Sequence, residues 1–462
     1  MVILLAARRF TAFWYRNRTY AEISVFHDLS LLTPESSLPG WVKKSTPILR
    51  SRPNNYVTRL YWRSVATSRH LGYLRVAWTG WLKYVSPPSV GEAAILCAYW
   101  VILLIMLWTN VIFKSPSALY GIEWEVVGFR AAWVSTTQLP LVYCTGCRIN
   151  SISIVTGVSH ERLNWFHRWT ARTLFLTLIV HWGFFYREWD LSNFVQQEIA
   201  LMPMVIWGFV AWIMIGFMVI TGYGFLRDRF YEAWLVLHVV SAYSVLALTY
   251  THTHCTTYFV IASVGFITFD ACGRALLWVL HNIHLVTSRR GGRKFGYDAQ
   301  ACRLDGEYMR LDIQDVSFKW KAGQHVYVTI PHLRKLQSHP FTMVNLPNSS
   351  GNRHQMSLII KSHRGFTRDL FQWTLEHPFG TLRTFLNGPY GNPPSLAGND
   401  TIVMIASGNR ASFVVSLLHE VVSWDHDIQR LYVHLIFRKP TDLKLYQSQL
   451  WASLKIQSAT ET

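Results

Sequence analysis

The sequence predicts a multi-domain membrane protein, in which a six-helix transmembrane bundle precedes a cytosolic antiparallel β-barrel and a partial α/β nucleotide-binding domain. Three observations predict this fold class. Six apolar segments, each near the length of about twenty residues that a bilayer requires, lie between residues 94 and 280. Short β-rich runs broken by Gly and Pro follow as far as residue 396. From Thr401 the pattern becomes strand, loop, helix, strand.

The composition is typical of a membrane protein, and the placement of its basic residues favours lipid over nucleic acid as a partner. Of 462 residues, 50% are hydrophobic and 21 are Trp, and the net charge is +18. Lys and Arg flank the apolar runs and form no separate arm, so anionic lipid explains them better than nucleic acid. Six Cys are too few for a disulfide scaffold, which predicts reduced thiols in any cytosolic portion. The start, MVILLAARR, is too short an apolar run for a signal peptide, and we expect no cleaved leader.

Residues 1–92 form a basic region rich in Trp and Tyr that ends in the breaker VSPPSVG. We interpret this region as a solvated cytosolic tail. The alternative is contact with the membrane surface, where tryptophan is favoured. The residues that would make that contact are Trp41, Trp62, Trp78 and Trp81.

The next region, residues 93–282, contains the predicted membrane spans. Arginines surround the entry to the third span and lie between the fourth and fifth, so these ends are cytosolic by the positive-inside rule. The acidic loop REWDLSNFVQQE is assigned to the outer side, and an even number of spans places both termini in the cytosol. The second span is the least certain, since it carries Arg130 and Gln138. The predicted spans are 94–113, 126–145, 164–186, 203–225, 232–252 and 257–280.

Two pairs of histidines stand inside this apolar sequence with one identical spacing. His167 and His181 are fourteen residues apart in the third span, and His238 and His252 are fourteen apart in the fifth. On a helix this offset is about four turns, so both imidazoles of a pair share one face, roughly 21 Å apart along the axis. A single histidine in an apolar segment is more often structural, but two matched intramembrane pairs indicate ligands of two stacked haems.

The orientation decides which histidines share a haem. The third and fifth spans run in the same direction, so His167 pairs with His238 near the cytosolic leaflet and His181 with His252 near the outer leaflet. Imidazole then fills both axial positions of each iron, which suits electron transfer and leaves no open site for oxygen. His254 competes with His252 but breaks the spacing, and His160 is expected in a loop before the helix.

Cys144 and Cys147 form a C-x-x-C at the inner end of the second span. Zinc or redox chemistry usually needs further ligands or a second half of the motif. A structural role is therefore the favoured interpretation.

The remaining chain is expected to lie in the cytosol. SRRGGRKFG, residues 288–296, indicates a flexible basic linker. Residues 296–396 then suit a small antiparallel barrel, and residues 397–462 contain one βαβ unit of a nucleotide-binding domain. The runs that predict strands in the barrel are YMRLDIQDV, HVYVTIP, QMSLIIKS and TLRTFLNGPYG.

Six features follow one another along roughly residues 94–440. Besides the histidine pairs, they are FRAAWVSTTQLPLVY (129–143), AGQH (322–325), HPFT (339–342), GFTRDL (365–370) and GPYG (388–391). No single tetrapeptide is decisive, but six in this order are specific. In these features and in the order of its parts the chain resembles the fungal ferric-chelate reductases of the flavocytochrome b family, relatives of the NADPH oxidases.

The resemblance implies an FAD site in the barrel. The segment HPFT would line the flavin, with the Thr342 hydroxyl toward the reactive edge of the ring. Gly365 and Thr367 would hold the pyrophosphate. Anionic phosphate binds to converging backbone N–H groups, and a glycine without a side chain lets the backbone come close to it. The turn containing Gly388, Pro389 and Gly391 would connect the barrel to the nicotinamide domain. The HPFT residues concerned are His339, Pro340, Phe341 and Thr342.

The nucleotide domain departs from the family's pattern. Where the family has a Gly-rich turn, only Gly408 remains, followed by Asn409 and Arg410, and a bulky turn restricts close approach to a phosphate. Arg438 and Lys439 stand where a basic residue can recognise the 2′-phosphate of NADPH, although a solvated surface explains them equally well. The chain ends at Thr462 after two strands of this domain.

The resemblance implies a ferric-chelate reductase that passes electrons from cytosolic NADPH through FAD and two b-type haems to an extracellular ferric or cupric chelate. Its partners would be membrane lipid, the chelate and a downstream iron or copper transporter, most simply at the plasma membrane. Cofactors perform the chemistry, so no catalytic side chain is expected. A superoxide-forming NADPH oxidase is one alternative. A haem-binding membrane protein without NADPH-dependent activity is the other, favoured by the altered glycine turn and the early end.

Overall fold

The computed structural model describes residues 21–27, 56–76, 87–111, 122–283, 295–335, 337–347, 355–394, 396, 401–422, 430–437, 439, 442 and 445–446. The chain divides into two compact units. One unit is Pro53–Gly273, and the other combines Met1–Arg52 with Arg274–Thr462.

The first unit is helical. Short helical segments connect its longer helices at Ser151–Thr156, Val195–Leu201, Gly224–Arg227 and His254–Thr256. The last turns of the final long helix belong to the second unit. The long helices are α1 (Tyr56–Tyr73), α2 (Val90–Trp108), α3 (Glu123–Gly146), α4 (His160–Leu191), α5 (Pro203–Thr221), α6 (Tyr231–His252) and α7 (Thr257–Asn282).

Helices α2 to α7 overlap the six predicted spans. Within the described residues, four helical stretches are long and apolar enough to cross a membrane: α2, α5, α6 and the stretch His254–Asn282. Helices α3 and α4 are more polar, and part of that polarity is buried between them. Gln138 is only 2% exposed. It accepts a hydrogen bond from the Tyr99 hydroxyl and donates one to Thr177 Oγ1.

One prediction for this unit needs correction. His160, expected in a loop, is the first residue of α4, because Ser159 is already extended and the acidic Glu161 favours the first turn of a helix. Within the predicted N-terminal region, residues 56–73 form α1. The run from Tyr56 to Leu71 contains no Gly or Pro that would interrupt a helix.

The second unit contains an antiparallel sheet of six strands in the order β5-β4-β7-β2-β3-β6. Alternate side chains of these strands pack into one core, which includes Leu311, Val326 and Leu386, each 0% exposed. Helix α8 (Phe366–Glu376) follows β6. The strands are β2 (Tyr297–Arg303), β3 (Tyr308–Ile313), β4 (His325–Thr329), β5 (His339–Thr342), β6 (Met356–Lys361) and β7 (Thr381–Tyr390).

The barrel prediction holds only as an antiparallel sheet. In the described residues the strand order ends at β5 and β6, and a single bridge between Met343 and Leu358 joins these two edges. Pro340 lies within β5 and cannot donate a backbone hydrogen bond, which limits pairing on that strand. Strand β2, whose sequence YDAQACR is only weakly apolar, was not among the predicted runs.

A second sheet contains the predicted βαβ unit. Strand β8 (Thr401–Ser407) leads through a short turn into α9 (Ala411–Val422), and β9 (Arg430–Phe437) returns parallel to β8. A further strand at residues 21–27, β1 (Ala21–His27), pairs antiparallel with β9. Helix α9 packs on the sheet through Val414, Val415 and Leu418, which are buried.

Candidate functional site

The four histidines predicted as haem ligands lie in the helical unit as two facing pairs. The ring centroids of His167 and His238 are 6.3 Å apart, and those of His181 and His252 are 6.2 Å apart. Two metal–imidazole bonds of about 2.0–2.1 Å, together with the two ring radii, give a centroid separation of about 6 Å when one iron lies between two imidazoles. Both spacings therefore fit one metal centre per pair.

Backbone carbonyls fix the rings of three of these histidines. His167 Nδ1 lies 2.9 Å from Val142 O, His181 Nδ1 lies 2.9 Å from Gly128 O, and His252 Nδ1 lies 2.7 Å from Met204 O. A ring whose Nδ1–H donates to a carbonyl presents Nε2 as the lone-pair donor, which is the usual arrangement around a metal-bound histidine.

The fourth histidine is held by an aromatic contact. The His238 ring lies 5.1 Å from the Trp234 ring, at an interplanar angle of 33°. Its Nδ1 is buried and has no hydrogen-bond partner among the described residues. Of the four rings, His238 is therefore the one in which no carbonyl contact determines which ring nitrogen carries the proton.

Two helical glycines allow the neighbouring helix to approach the histidine rings. A Cβ at Gly208 would lie 2.7 Å from His252 Cε1 and 2.8 Å from its Nδ1. A Cβ at Gly146 would lie 3.2 Å from His167 Cε1. Each ring thus occupies space that a side chain would otherwise fill. The absence of a Cβ at both positions supports a site built around the rings.

A cavity of about 380 Å³ adjoins the His181–His252 pair. Its walls are mainly aromatic and aliphatic, and they include Trp182 and Trp212, whose indole N–H groups are buried with no acceptor in the described part of the chain. Buried unpaired donors in an apolar cavity favour a large planar ligand that also carries acceptor groups. These residues fit haem: each facing pair of histidines would hold one haem, which would supply one-electron chemistry.

The segments predicted to bind flavin converge in the second unit. The His339 ring stacks on Phe366 with centroids 4.7 Å apart and an angle of 18°, and Phe341 lies 6.4 Å from the same ring. Phe366 is buried, whereas His339 and Phe341 remain partly exposed. The strand pairing also places Thr342 opposite His325 of the AGQH segment. HPFT, GFTRDL and AGQH therefore form one surface.

The predicted pyrophosphate segment at Gly365 and the predicted connecting turn GPYG both have backbone geometry that glycine permits. Gly365, with φ of 65°, precedes α8, and the Thr367 hydroxyl in its first turn accepts a hydrogen bond from His363 N. In the GPYG turn, Gly391 has φ of 94° and its carbonyl accepts a hydrogen bond from Gln324 Nε2. Gly388 and Pro389 complete that turn at the end of β7. The arrangement fits a phosphate-bearing ligand at the start of α8.

The predicted nucleotide turn lies between β8 and α9. Gly408 adopts φ of 60°, and space is open where its Cβ would be. Asn409 and Arg410 are exposed in the same short turn. Arg438 lies outside the described residues, so its predicted role in NADPH recognition has no structural description, while Lys439 is exposed.

Cys144, Cys147 and His254 make contacts that do not involve the two histidine pairs. Cys144 Sγ lies 3.4 Å from Ser151 Oγ, and Cys147 Sγ lies 3.7 Å from Phe266 O. The His254 ring packs edge-on against Tyr250. All six cysteines are free thiols. In the part of the chain that the structure describes, no three His, Cys, Asp or Glu side chains could hold one metal ion.

Sequence reasoning missed the residues that shape these sites. Gly208 lies inside the apolar helix α5, where an isolated glycine costs about 1 kcal/mol relative to alanine and so signals a packing reason, whereas Gly146 is the last residue of α3. Phe366 lies inside a recognised motif, but its contact with His339 depends on the fold. For Gly208, a glycine inside a predicted span was a signal that could have been used.

Two parts of the chain match known family models. Residues 131–249 match the family described as "Ferric reductase like transmembrane component", and residues 297–394 match the family described as "FAD-binding domain". The first match includes His167, His181 and His238, and ends three residues before His252.

Curated relatives match over both regions. The chain is 25% identical over 419 residues to "Probable cell surface ferric reductase kap2" of Aspergillus oryzae, covering 86% of this chain and 53% of that protein. It is also 25% identical over 378 residues to "Ferric/cupric reductase transmembrane component 2" of Saccharomyces cerevisiae, covering 79% of this chain and 50% of that protein. The chain thus spans about half the length of these relatives.

Proposed function

We infer that this chain, which belongs to the fungal ferric reductases of the flavocytochrome b superfamily, carries electrons across a membrane to a metal chelate. The chain is a multi-pass membrane protein with an FAD-binding domain. We propose that it passes electrons from cytosolic NADPH, through FAD and two b-type haems, to an extracellular ferric or cupric chelate.

The observation that carries this proposal is the pair of histidine separations. At 6.3 Å and 6.2 Å, both distances suit one iron between two imidazoles, and the pairs repeat along the same two helices. Imidazole on both sides of each iron favours electron transfer over ligand binding. The positive-inside rule assigns His167 and His238 to an inner site and His181 and His252 to an outer site.

The chain's own residues would position the cofactors. The carbonyls of Val142, Gly128 and Met204 contact three imidazoles at Nδ1, which would leave Nε2 of each ring free to bind a metal. In the second unit, the partly exposed surface of HPFT would face the flavin, and the turn at Gly365 would hold its phosphates. FAD is required because nicotinamide delivers two electrons together and a haem accepts one.

The six helices α2 to α7 would span the membrane, with both termini in the cytosol. α3 and α4 would be shielded from lipid through their contact with each other, in agreement with buried Gln138 and Thr177. We place the protein at the plasma membrane, where its partners would be lipid, the extracellular chelate and a downstream iron or copper transporter.

An anaerobic reduction experiment tests the electron path. NADPH is added to the purified full chain loaded with haem and FAD, and the haem absorbance is followed; we expect reduction to the level that dithionite gives. Reduction by dithionite but not by NADPH would contradict the NADPH step. It would favour a haem-binding membrane protein without this activity, the alternative that the altered turn at Gly408 suggests.

A further inference from the structure

Helix α3 supplies a backbone carbonyl to both predicted ligand histidines of α4. Val142 O lies 2.9 Å from His167 Nδ1, and Gly128 O lies 2.9 Å from His181 Nδ1. The two carbonyls are fourteen residues apart on α3, as the two histidines are on α4, and they meet in reverse order. The helices are therefore antiparallel, and a single register satisfies both rings at once.

The two carbonyls reach the two imidazoles only over a narrow range of helix positions. A slip of one residue would move each α3 carbonyl by about 1.5 Å along the axis and turn it by about 100° around the axis. Hydrogen bonds weaken steeply when the distance and the angle leave their ordinary range. Because one helix carries both carbonyls, a displacement of α3 would affect His167 and His181 together.

A buried hydrogen-bonded group joins α3 to α4 between the two carbonyl contacts. Thr177 Oγ1 of α4 accepts a hydrogen bond of 2.9 Å from Ser135 Oγ and one of 3.0 Å from Gln138 Nε2, both on α3. Ser135 lies seven residues from Gly128 and seven from Val142, so the link stands midway between the contacts. Ser135, Gln138 and Thr177 are 0%, 2% and 9% exposed.

The buried link resists displacement of α3. Thr177 Oγ1 donates its own proton to Leu174 O at 3.0 Å, so the two bonds from α3 occupy its two lone pairs. Gln138 is also held from α2, because the Tyr99 hydroxyl donates to its Oε1 at 2.8 Å. A buried donor that loses its acceptor is costly, since no water replaces the lost partner. These bonds therefore oppose both sliding and rotation of α3 against α4.

We propose that Thr177 and Gln138 are positioning residues, which hold α3 in the register that lets its two carbonyls orient both α4 histidines. This inference rests on the proposed function, because the oriented rings are those assigned to the two haems. Neither Thr177 nor Gln138 lines the cavity beside His181 and His252. Their effect on the histidines is therefore carried by the position of the helix.

The carbonyl contacts affect a bound metal as well as the rings. An imidazole whose Nδ1–H donates to a carbonyl is a more basic ligand at Nε2, which stabilises an oxidised metal relative to a reduced one. Lengthening the contact reverses this effect, so the equilibrium constant for reduction of a haem on that ring rises. A displacement of α3 should raise this constant at both haems.

Spectroelectrochemistry of the haem-loaded full chain, with redox mediators, tests the proposal. Thr177→Val keeps the shape of the side chain but removes the acceptor of both α3 groups, whereas Thr177→Ser keeps the oxygen. For Thr177→Val we expect the reduction equilibrium constant of both haems to rise about three- to tenfold, or ~28–59 mV for one electron. The low-spin EPR signals of both haems should shift as well. Thr177→Ser should match the unchanged protein, and the signal that remains in His181→Ala assigns the two haems.

Trp100→Phe is the matched control. Trp100 of α2 donates a hydrogen bond of 2.9 Å to Thr173 Oγ1 of α4, and Thr173 is only 6% exposed. This variant removes a bond of similar length to the same helix but leaves the bonds between α3 and α4 in place. Both midpoint potentials and both EPR signals should stay unchanged in Trp100→Phe, even where its unfolding temperature falls.

Other outcomes would overturn the proposal. A shift confined to the haem of His181 would mean that Thr177, one turn away on the same helix, acts locally, since His167 is ten residues away. Unchanged midpoints in Thr177→Val, or an equal shift in Trp100→Phe, would also contradict it. If Thr177→Val does not fold, Gln138→Met decides by the same measurements. Failure of NADPH to reduce the haems would count against the proposed function alone, because mediators supply the electrons here. A folded chain without haem would overturn both.

Discussion

Replacing Gly208 by alanine should weaken haem binding at the His181–His252 pair. The added Cβ would lie 2.7 Å from His252 Cε1, whereas ordinary contact begins at 3.4 Å, so the ring must move by about 0.7 Å. The hydrogen bond of 2.7 Å from His252 Nδ1 to Met204 O resists that movement. Disturbing the support of a metal-bound histidine typically costs about 10–100-fold in affinity, or ~1.4–2.8 kcal/mol.

Two other glycines give this prediction a graded control. Gly146→Ala places a Cβ 3.2 Å from His167 Cε1, which requires a shift of only a few tenths of an ångström. Gly183→Ala lies on α4, where nothing stands within 4 Å of the added carbon. Alanine stabilises a helix interior relative to glycine by about 1 kcal/mol, so Gly183→Ala measures that benefit alone.

The assay is haem content by pyridine haemochrome, together with haem loss to apomyoglobin, for each purified variant. We expect Gly208→Ala to lose one haem fastest, Gly146→Ala to lose the other more slowly, and Gly183→Ala to match the unchanged protein. Equal retention in Gly208→Ala and Gly183→Ala would refute the role assigned to the contact with His252.

Three further predictions concern single side chains. His181→Ala should remove one haem and leave the other, and loss of neither would contradict the pairing. Phe366→Ala removes the buried ring beneath His339, which should lower the free energy of unfolding of the sheet domain by about 3–5 kcal/mol and reduce FAD content, measured by urea titration and flavin absorbance. Asn282 is 0% exposed and bonds both backbone groups of Leu386, so Asn282→Ala should lower the same free energy by about 2–4 kcal/mol. Gln300→Ala, which removes only a weak exposed bond of 3.5 Å, is its control.

The helices of this unit follow largely from local patterns: α2 to α7 overlap the six predicted spans, although only four of the described helical stretches are apolar enough to cross a membrane. A fourteen-residue offset fixes a helix face by geometry alone. In the structure the His167 ring faces the His238 ring and the His181 ring faces the His252 ring, while their role as haem ligands and the membrane orientation stay predictions. The polar side chain of Gln138 weakened the prediction of α3, since its partners Tyr99 and Thr177 come from other helices.

Contacts between distant segments could not be predicted from spacing. The approach of Gly208 to His252 depends on how closely α5 and α6 pack, and the stacking of His339 on Phe366 depends on the sheet that brings β5 to α8. Strand closure is also a property of the whole sheet, which explains why an antiparallel sheet was predicted correctly while the described strands do not form a complete barrel. The start of α4 at His160 depended on backbone conformation at Ser159.

The most direct test of the account is the number and type of haems in the purified full chain. A reduced-minus-oxidised spectrum with a haem assay should show low-spin, bis-imidazole b-type haem at about two per chain, one for each histidine pair. A chain that is folded but free of haem, or one that contains only a high-spin haem with an open axial position, would contradict the central claim.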